Sequence, residues 1–300
     1  MPENLAPRVL HIGQRKTGTT WLQQTAEDAA RAGVLTYEHW DLTAALKGAT
    51  WKTITDAQLT DAFATLPCDT PLPCLASCED LMVHDFPRLA MALGHVWPTA
   101  KVLVTTRSPQ GYLTSSFNND SFTKGQPAAE FTRRFSLHHM PRVFDLNGAA
   151  TAFGPQKTHF LPYELLRADP ATYLDQISTL LNVDLSPYAP QSALNVSPPP
   201  TFLILQRKIN AMIETQAPEI LKTPEWAQFK LMANFSAGSA DGLGQFFDRF
   251  FAENPVADSD MPQLPDDILA VLSSQMTVLQ DAPLYHDFLP LYGLPAATAS

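Results

Sequence analysis

The stretch from Val9 to Leu22 reads VLHIGQRKTGTTWL and decides the fold class of this chain. Its first four residues form a short apolar run, and an amphipathic segment begins at Thr19. A strand, a glycine-containing loop and a helix in this order form a cradle for an anion, because the loop N–H groups and the helix N-terminus converge. The sequence therefore predicts a phosphate-binding loop between Ile12 and Thr19.

The position of the lysine separates this loop from that of the nucleoside triphosphatases, G-x-x-x-x-G-K-[ST]. Thr19 stands where that pattern has its lysine, and Lys16 lies two residues before Gly18. The change keeps a cation beside the loop but removes the arrangement expected for hydrolysis of ATP or GTP.

Two further motifs follow the RKTGTTWL of residues 15–22. Residues 101–109 read KVLVTTRSP, with Ser115 eight positions after Arg107, and residues 161–166 read LPYELL before a helix begun by Asp169-Pro170. In this order the three motifs resemble the 5′-phosphosulfate loop, the 3′-phosphate motif and the tyrosine-containing strand end of the sulfotransferases. This family uses 3′-phosphoadenosine 5′-phosphosulfate (PAPS). The resemblance covers residues 8–181, and residues 182–300 match nothing as sharply.

The resemblance implies a role for each matching residue. Lys16 would stabilise the departing bridging oxygen, the kind of electrostatic work that dominates such transfers. Arg107 and Ser115 would bind the 3′-phosphate, with Ser116 disfavoured by the spacing. The full set of implied cofactor ligands is Arg15, Lys16, Thr17, Gly18, Thr19, Thr20, Trp21, Arg107, Ser115 and Tyr163. Trp21 is left with two interpretations, a partner of the adenine or a filler of the core.

The general base is the point on which the sequence departs from the cytosolic members of the family. Those members carry a histidine after the strand that precedes the 3′-phosphate strand, whereas carbohydrate-type members carry a glutamate. Here that strand ends in Ser77-Cys78-Glu79-Asp80 without a Thr-His pair. Glu79 is therefore the predicted base, His84 the first alternative and Asp80 the second. His39, His138 and His139 are assigned to the surface or to the acceptor site.

Composition narrows the class of protein. The net charge of −10 argues against a nucleic-acid binder, whose affinity rests on clustered cations. The three cysteines, Cys68, Cys74 and Cys78, lack metal-ligand partners at useful spacing and favour reduced thiols. No metal is expected. With no leader segment and no bilayer-length apolar run recognised, we expect a cytoplasmic location.

Strands alternate with helices over residues 1–181, which predicts an α/β fold: a three-layer α/β/α, P-loop-like arrangement around a parallel sheet. Residues 182–300 are expected to add a mainly helical C-terminal cap to one single domain. The family's Arg-Lys-Gly adenosine lid is not found, because Arg207-Lys208 lies within an apparent helix and precedes isoleucine. The elements expected are strands at 8–13, 33–37, 73–78, 101–106 and 157–161, and helices at 19–31, 55–66, 85–96, 170–181, 201–215, 225–234, 241–252 and 265–280.

The sequence thus predicts a PAPS-dependent sulfotransferase, bacterial or carbohydrate-type in character, that acts on a hydroxyl or amine of a small-molecule, glycan or lipid-like acceptor. Two alternatives stay open. One is a small-molecule kinase or other P-loop nucleotide enzyme, and the other is a sulfotransferase-like binding protein without turnover. Phenylalanines in the cap (Phe202, Phe229, Phe235, Phe246 and Phe247) favour no acceptor class.

Overall fold

A computed structural model describes residues 6–41, 53–66, 70–123, 126–190, 200–226 and 260–296, together with Ala45, Arg249, Ala252 and Glu253. The strands are β1 (Arg8–His11), β2 (Thr36–His39), β3 (Cys74–Ser77), β4 (Lys101–Thr106) and β5 (Thr158–Pro162). The helices are α1 (Thr19–Arg31), α2 (Asp56–Phe63), α3 (Phe86–Val96), α4 (Pro109–Thr123), α5 (Ala128–His138), α6 (Met140–Val143), α7 (Leu146–Phe153), α8 (Tyr163–Ala168), α9 (Pro170–Leu181), α10 (Pro200–Gln216) and α11 (Asp266–Ser274).

The five strands form one sheet in the order β2-β3-β1-β4-β5, and every neighbouring pair is parallel. The central strand β1 places His11 opposite Ser77 of β3 and Leu103 of β4. Parallel strands end at a common edge, and ligands of such sheets bind beyond the carboxyl ends of the strands. The predicted α/β fold with a parallel central sheet is confirmed.

Helices cover both faces of this sheet, as its apolar strands require. On one face Val9, Leu75 and Leu103 join a buried cluster with residues of α1 and α9. The alternating strand residues Leu10 and Ala76 are also fully buried, and α7 packs on β5 and on α3. The layers therefore alternate α/β/α around the strands.

The described residues fall into two compact units. The first takes its described residues from 1–109, 139–194 and 267–300 and holds the whole sheet, and the second takes its described residues from 110–138 and 195–266. In the second unit the Phe131 ring stacks on Phe135 with 4.9 Å between centroids and meets the edge of Phe117 at 5.4 Å. Both units draw residues from either side of position 181, and the expected single domain with a C-terminal cap stays a prediction.

Several predicted elements have different ends, for local reasons. β2 begins three residues late because Gly33, at φ 74°, and Val34 close the end of α1 with bonds to Ala30 and Ala29. The helix expected over 265–280 is α11 followed by a separate 3₁₀ turn, Thr277–Asp281. Most of the helices expected over 225–234 and 241–252 and the side chains of the cap phenylalanines lie outside the described residues. Among described helices, none has the length and apolarity of a membrane span.

A polar chain crosses the apolar sheet at His11, which is fully buried. Its Nδ1 lies 2.8 Å from the Ser77 hydroxyl and its Nε2 lies 2.9 Å from the Thr105 hydroxyl. Thr105 is in turn 2.9 Å from the Thr17 hydroxyl, which donates to the Gln14 carbonyl at 2.6 Å. Because a carbonyl only accepts, the Thr17 hydroxyl donates its one proton to Gln14, and Thr105 must therefore donate to Thr17. His11 therefore donates from Nε2 and accepts from Ser77 at Nδ1.

Burial lowers the pKa of His11 from 6.5 to about 4, so its imidazole is neutral in the folded protein at neutral pH. The unfolded chain then binds a proton more readily between these two values. Stability contributed by His11 is full above pH 6.5 and is lost as the pH falls toward 4.

We expect the free energy of unfolding, measured by urea denaturation, to fall by up to about 3 kcal/mol through this window because of His11 alone. The His11→Gln variant lacks this proton and should show a shallower pH dependence. His95→Gln, which removes an exposed histidine of α3, should keep the wild-type slope. If the difference in free energy of unfolding between the wild type and His11→Gln does not change from pH 6.5 to pH 4, the lowered pKa of His11 is contradicted.

Candidate anion and acceptor site

The loop between β1 and α1 has a strained backbone at its cation. Lys16 has φ 70°, and Gly18, the N-cap of α1, has φ 74° and ψ 18°. In the described chain the other non-glycine residue with positive φ is Asn182, a helix C-cap of a residue type that tolerates this conformation. Lysine in this region costs about 1–3 kcal/mol, and such strain persists where the surroundings impose it, commonly at functional sites.

The N-terminus of α1 differs from those of four other helices. In α2, α3, α7 and α9 a Thr or Asp side chain accepts a hydrogen bond from the first turn. Helix α1 has Gly18 as its N-cap, with no side-chain cap and no acidic residue in its first turn. Its leading N–H groups and the positive end of its dipole therefore suit an anionic ligand.

Hydrogen bonds to β4 fix the start of the loop between β1 and α1. The N–H groups of Ile12 and Gln14 donate to the carbonyls of Leu103 and Thr105, each at 2.9 Å, and so extend the β1–β4 pairing into the loop. Gly13 lies so close to the polar chain that a Cβ there would stand 2.1 Å from the Thr105 Oγ1. Only glycine fits at this point, so the loop follows the path that the buried hydroxyls allow.

Arg107, one residue after β4, is held beside the loop at three points. Its N–H donates to the Gln14 Oε1 at 2.8 Å, its guanidinium donates to the Lys16 carbonyl at 3.0 Å, and it lies 4.7 Å from the centroid of the Tyr163 ring. Burial lowers the pKa of Arg107, while Tyr163 and Glu164 oppose that shift. The predicted residues Lys16, Arg107 and Tyr163 thus do meet at one edge of the sheet.

Glu79 opens the 3₁₀ turn Glu79–Val83 directly after β3, where the Cys78 N–H donates to the His11 carbonyl at 2.9 Å. Partial desolvation lowers the pKa of Lys16; the Glu79 carboxylate opposes this, and Arg15 and Arg107 add to it. The predicted base and the predicted phosphate cation therefore lie within electrostatic range of each other.

A second group of charges flanks this pair. Arg15 forms an ion pair with Asp80, and the short helix α6 packs on the Glu79–Val83 turn. The Gln14 amide reaches α6 through a 3.3 Å bond to the Val143 carbonyl. The structure thus places the α6 segment beside the loop, which the sequence did not predict.

Two half-buried histidines belong to this second group. Burial lowers the pKa of His84, Asp80 opposes the shift, and Arg142 adds to it. Burial also lowers the pKa of His139, and Arg15 and Arg142 add to that shift. Both imidazoles therefore favour the neutral form, which is able to accept a proton. In the described part of the chain no cluster of three or more His, Cys, Asp or Glu could hold a metal ion.

The C-terminal segment supplies residues that sequence reasoning missed. The Thr106 Oγ1, at the end of β4, lies 2.6 Å from the Tyr285 hydroxyl and 3.0 Å from that of Tyr292. The Tyr292 hydroxyl donates to the Glu164 Oε2 at 2.9 Å, and the Ser108 N–H donates to the Glu164 Oε1 at 2.9 Å. Of these residues, only Glu164 could have been singled out from the sequence, because it directly follows Tyr163.

The remaining predicted residues are placed as follows. Thr17 and Thr19 are buried, whereas Thr20 is exposed. Half-buried Trp21 meets the edge of Tyr173 at 6.3 Å and packs against the sheet core, so its adenine role stays a prediction. Ser115 is 8% exposed on α4 and belongs to the second unit. Its pairing with Arg107 also stays a prediction.

Arg207, in the second unit, lies inside α10, as the sequence predicted. It forms a 3.1 Å ion pair with Asp260 and lies 5.9 Å from the centroid of the Phe117 ring. Only 9% of its surface is exposed, so it is committed to packing within that unit.

Comparisons with known proteins give weak similarities. The chain matches no model of a protein family and no curated protein. Among solved structures, a sulfotransferase from Alicyclobacillus acidocaldarius is similar at 14% identity and a TM-score of 0.42, over 74% of this chain and 98% of that one. Mouse sulfotransferase SULT7A1 complexed with PAP is similar at 15% identity and a TM-score of 0.40, over 83% of this chain and 90% of that one.

A third solved structure, the sulfotransferase domain from the curacin biosynthetic pathway, is similar at 13% identity and a TM-score of 0.37, over 87% of this chain and 99% of that one. Likenesses of this strength do not assign a family or an activity to the chain.

Proposed function

We propose that this chain is a sulfotransferase that takes PAPS as its donor. One observation carries the proposal: two cationic positions, Lys16 at the uncapped start of α1 and Arg107 after β4, are joined by the 3.0 Å bond from Arg107 to the Lys16 carbonyl. A ligand with two separate phosphate positions suits this pair, because guanidinium and helix N-terminus both bind phosphate.

The residues fit the donor in chemical type. The N–H groups that begin α1 and the hydroxyls of Thr19 and Thr20 suit the 5′-phosphate, and the Arg107 guanidinium, stacked on Tyr163, suits the 3′-phosphate. Arg15, Lys16 and Arg107 would offset the charge of the nucleotide in a chain whose net charge is −10. We assign the 5′ and 3′ positions from the motif resemblance.

The chemistry assigned to the chain is proton acceptance and charge stabilisation. Bound PAPS would supply the sulfuryl group and leave as adenosine 3′,5′-bisphosphate. Glu79 accepts the proton of the acceptor hydroxyl as its oxygen bonds to sulfur. The bond between sulfur and the bridging oxygen breaks, and the Lys16 ammonium stabilises the charge left on the phosphate.

His84 is the alternative base, and the structure supports keeping it. It ends the same 3₁₀ turn that Glu79 begins, and both Asp80 and Arg142 influence its pKa. The acceptor is proposed only by class, as a hydroxyl or amine of a small-molecule, glycan or lipid-like compound. A small-molecule kinase and a binding protein without turnover are the competing proposals, and the displaced lysine disfavours the kinase.

We expect adenosine 3′,5′-bisphosphate to raise the melting temperature of the protein without magnesium, since a ligand that binds only the folded state stabilises it. Arg107→Ala should weaken this affinity by about tenfold to a hundredfold, the range for hydrogen bonds to charged groups. Binding of adenosine 5′-phosphosulfate, which lacks the 3′-phosphate, should barely change. Isothermal titration calorimetry measures both.

Arg31→Ala, which removes an exposed arginine from the end of α1, is the control for loss of charge. It should leave both affinities unchanged. Equal weakening of both ligands by Arg107→Ala would show that Arg107 supports the fold and does not bind the 3′ position. A melting shift with ATP and magnesium but none with the bisphosphate would favour the kinase.

We expect Glu79→Gln to keep folding and nucleotide affinity but to lower the turnover number by about a hundredfold or more, the usual effect of losing a positioned general base. Glu214→Gln, an exposed glutamate of α10, should keep full turnover. The rate is measured as transfer of labelled sulfate from PAPS to an acceptor found by screening. Near-normal turnover of Glu79→Gln with loss of turnover in folded His84→Ala would transfer the role to His84.

A further inference from the structure

We propose that Tyr292 is a positioning residue, whose hydroxyl holds the Glu164 carboxylate so that the Arg107 guanidinium stays available to an anionic ligand. The inference builds on the proposed function, because it takes the 3′-phosphate as that ligand. It adds the C-terminal segment around Leu289–Tyr292 to the anion site.

Each oxygen of the Glu164 carboxylate accepts a hydrogen bond that fixes its orientation. Oε1 accepts from the Ser108 N–H and Oε2 accepts from the Tyr292 hydroxyl, each at 2.9 Å. Tyr292 is fully buried, so this bond is shielded from water and is stronger than an exposed one. The carboxylate is thus fixed from two sides, by the residue after Arg107 and by the C-terminal segment.

The direction of the hydrogen bonds that link Tyr292 to Thr106 and Tyr285 can be deduced. Tyr292 donates its one proton to Glu164, so it must accept from the Thr106 hydroxyl at 3.0 Å. Thr106 in turn accepts from Tyr285 at 2.6 Å. Of these three hydroxyl groups, that of Tyr292 contacts Glu164, and Tyr285 is two hydrogen bonds away from Tyr292.

Glu164 is a potential competitor for Arg107. It follows Tyr163, on whose ring the guanidinium rests, and its charge acts on Arg107. Yet among the described residues no carboxylate forms an ion pair with Arg107. A carboxylate free to turn at this place would gain by pairing with the guanidinium and would oppose binding of a phosphate.

The C-terminal segment is anchored independently of Glu164. The Ser273 hydroxyl, on α11, lies 3.0 Å from the Tyr292 carbonyl and donates to it. Earlier in the same segment, the Ser274 carbonyl and the Thr277 hydroxyl each lie 3.0 Å from the side-chain amide nitrogen of Asn147, on α7. Tyr292 is therefore held by its backbone, and Tyr292→Phe removes one hydroxyl without releasing the segment.

The test measures the ratio of the dissociation constant of adenosine 5′-monophosphate to that of adenosine 3′,5′-bisphosphate, by isothermal titration calorimetry. This ratio reports selectivity for the 3′-phosphate, and a general loss of stability does not move it. Tyr292→Phe should lower the ratio by about fivefold to tenfold, the effect of one hydrogen bond. Tyr285→Phe is the matched control, a buried tyrosine that also loses a bond to Thr106, and it should lower the ratio by less than about twofold.

A double-mutant cycle shows whether Glu164 carries the effect. Glu164→Gln keeps an acceptor for Ser108 but removes the competing charge, so it should keep or raise the ratio. In that background Tyr292→Phe should change the ratio by less than about twofold. Glu164→Gln alone serves as the test if Tyr292→Phe melts below the assay temperature.

Any of four results would overturn the inference: no change in Tyr292→Phe, an equal loss in Tyr285→Phe, a ratio lowered by Glu164→Gln, or a full effect of Tyr292→Phe in the Glu164→Gln background. Equal affinity of the unmodified protein for the two nucleotides is a different outcome. It would overturn the proposed function, and this inference with it.

Discussion

The hydrogen-bond chain from Ser77 through His11, Thr105 and Thr17 to the Gln14 carbonyl is the constraint on which the anion site depends. It ties three central strands to the loop after β1, and all of its members are buried. Leaving one such group unsatisfied costs about 1–3 kcal/mol, comparable with the strain at Lys16. The loop therefore keeps a costly backbone conformation because release would break a buried chain.

Gln14 carries this constraint from the loop to the neighbouring strand ends. Its side chain accepts from the Arg107 N–H and donates to the Val143 carbonyl, so one residue links Arg107 to the α6 segment. The charged and titratable residues around Gln14 form two groups with different proposed roles. Lys16 and Arg107 stand where nucleotide phosphates are proposed, and Glu79 and His84 stand at the two ends of the turn after β3. This division lets a chain of net charge −10 offer a local cationic site.

The sequence was sufficient for the fold class and for the residues that meet at the loop, since strand–loop–helix order and parallel pairing bring Lys16, Glu79, Arg107 and Tyr163 to one edge. It was insufficient for Gln14, Glu164 and Tyr292. Tyr292 is 186 residues from its partner Thr106, and no local pattern encodes such a contact. The start of β2 was missed because Gly33 was assigned to a strand, whereas its positive φ closes α1. Ser115 keeps its predicted role only through the motif.

The most direct measurement of the central claim is transfer of ³⁵S from labelled PAPS to a panel of hydroxyl and amine acceptors, with release of adenosine 3′,5′-bisphosphate followed in the same reaction. We predict magnesium-independent transfer by the wild type and loss of transfer in Lys16→Met, which keeps an unbranched side chain one atom shorter but removes the charge. Transfer of labelled phosphate from ATP with magnesium, and none of sulfate from PAPS, would contradict it.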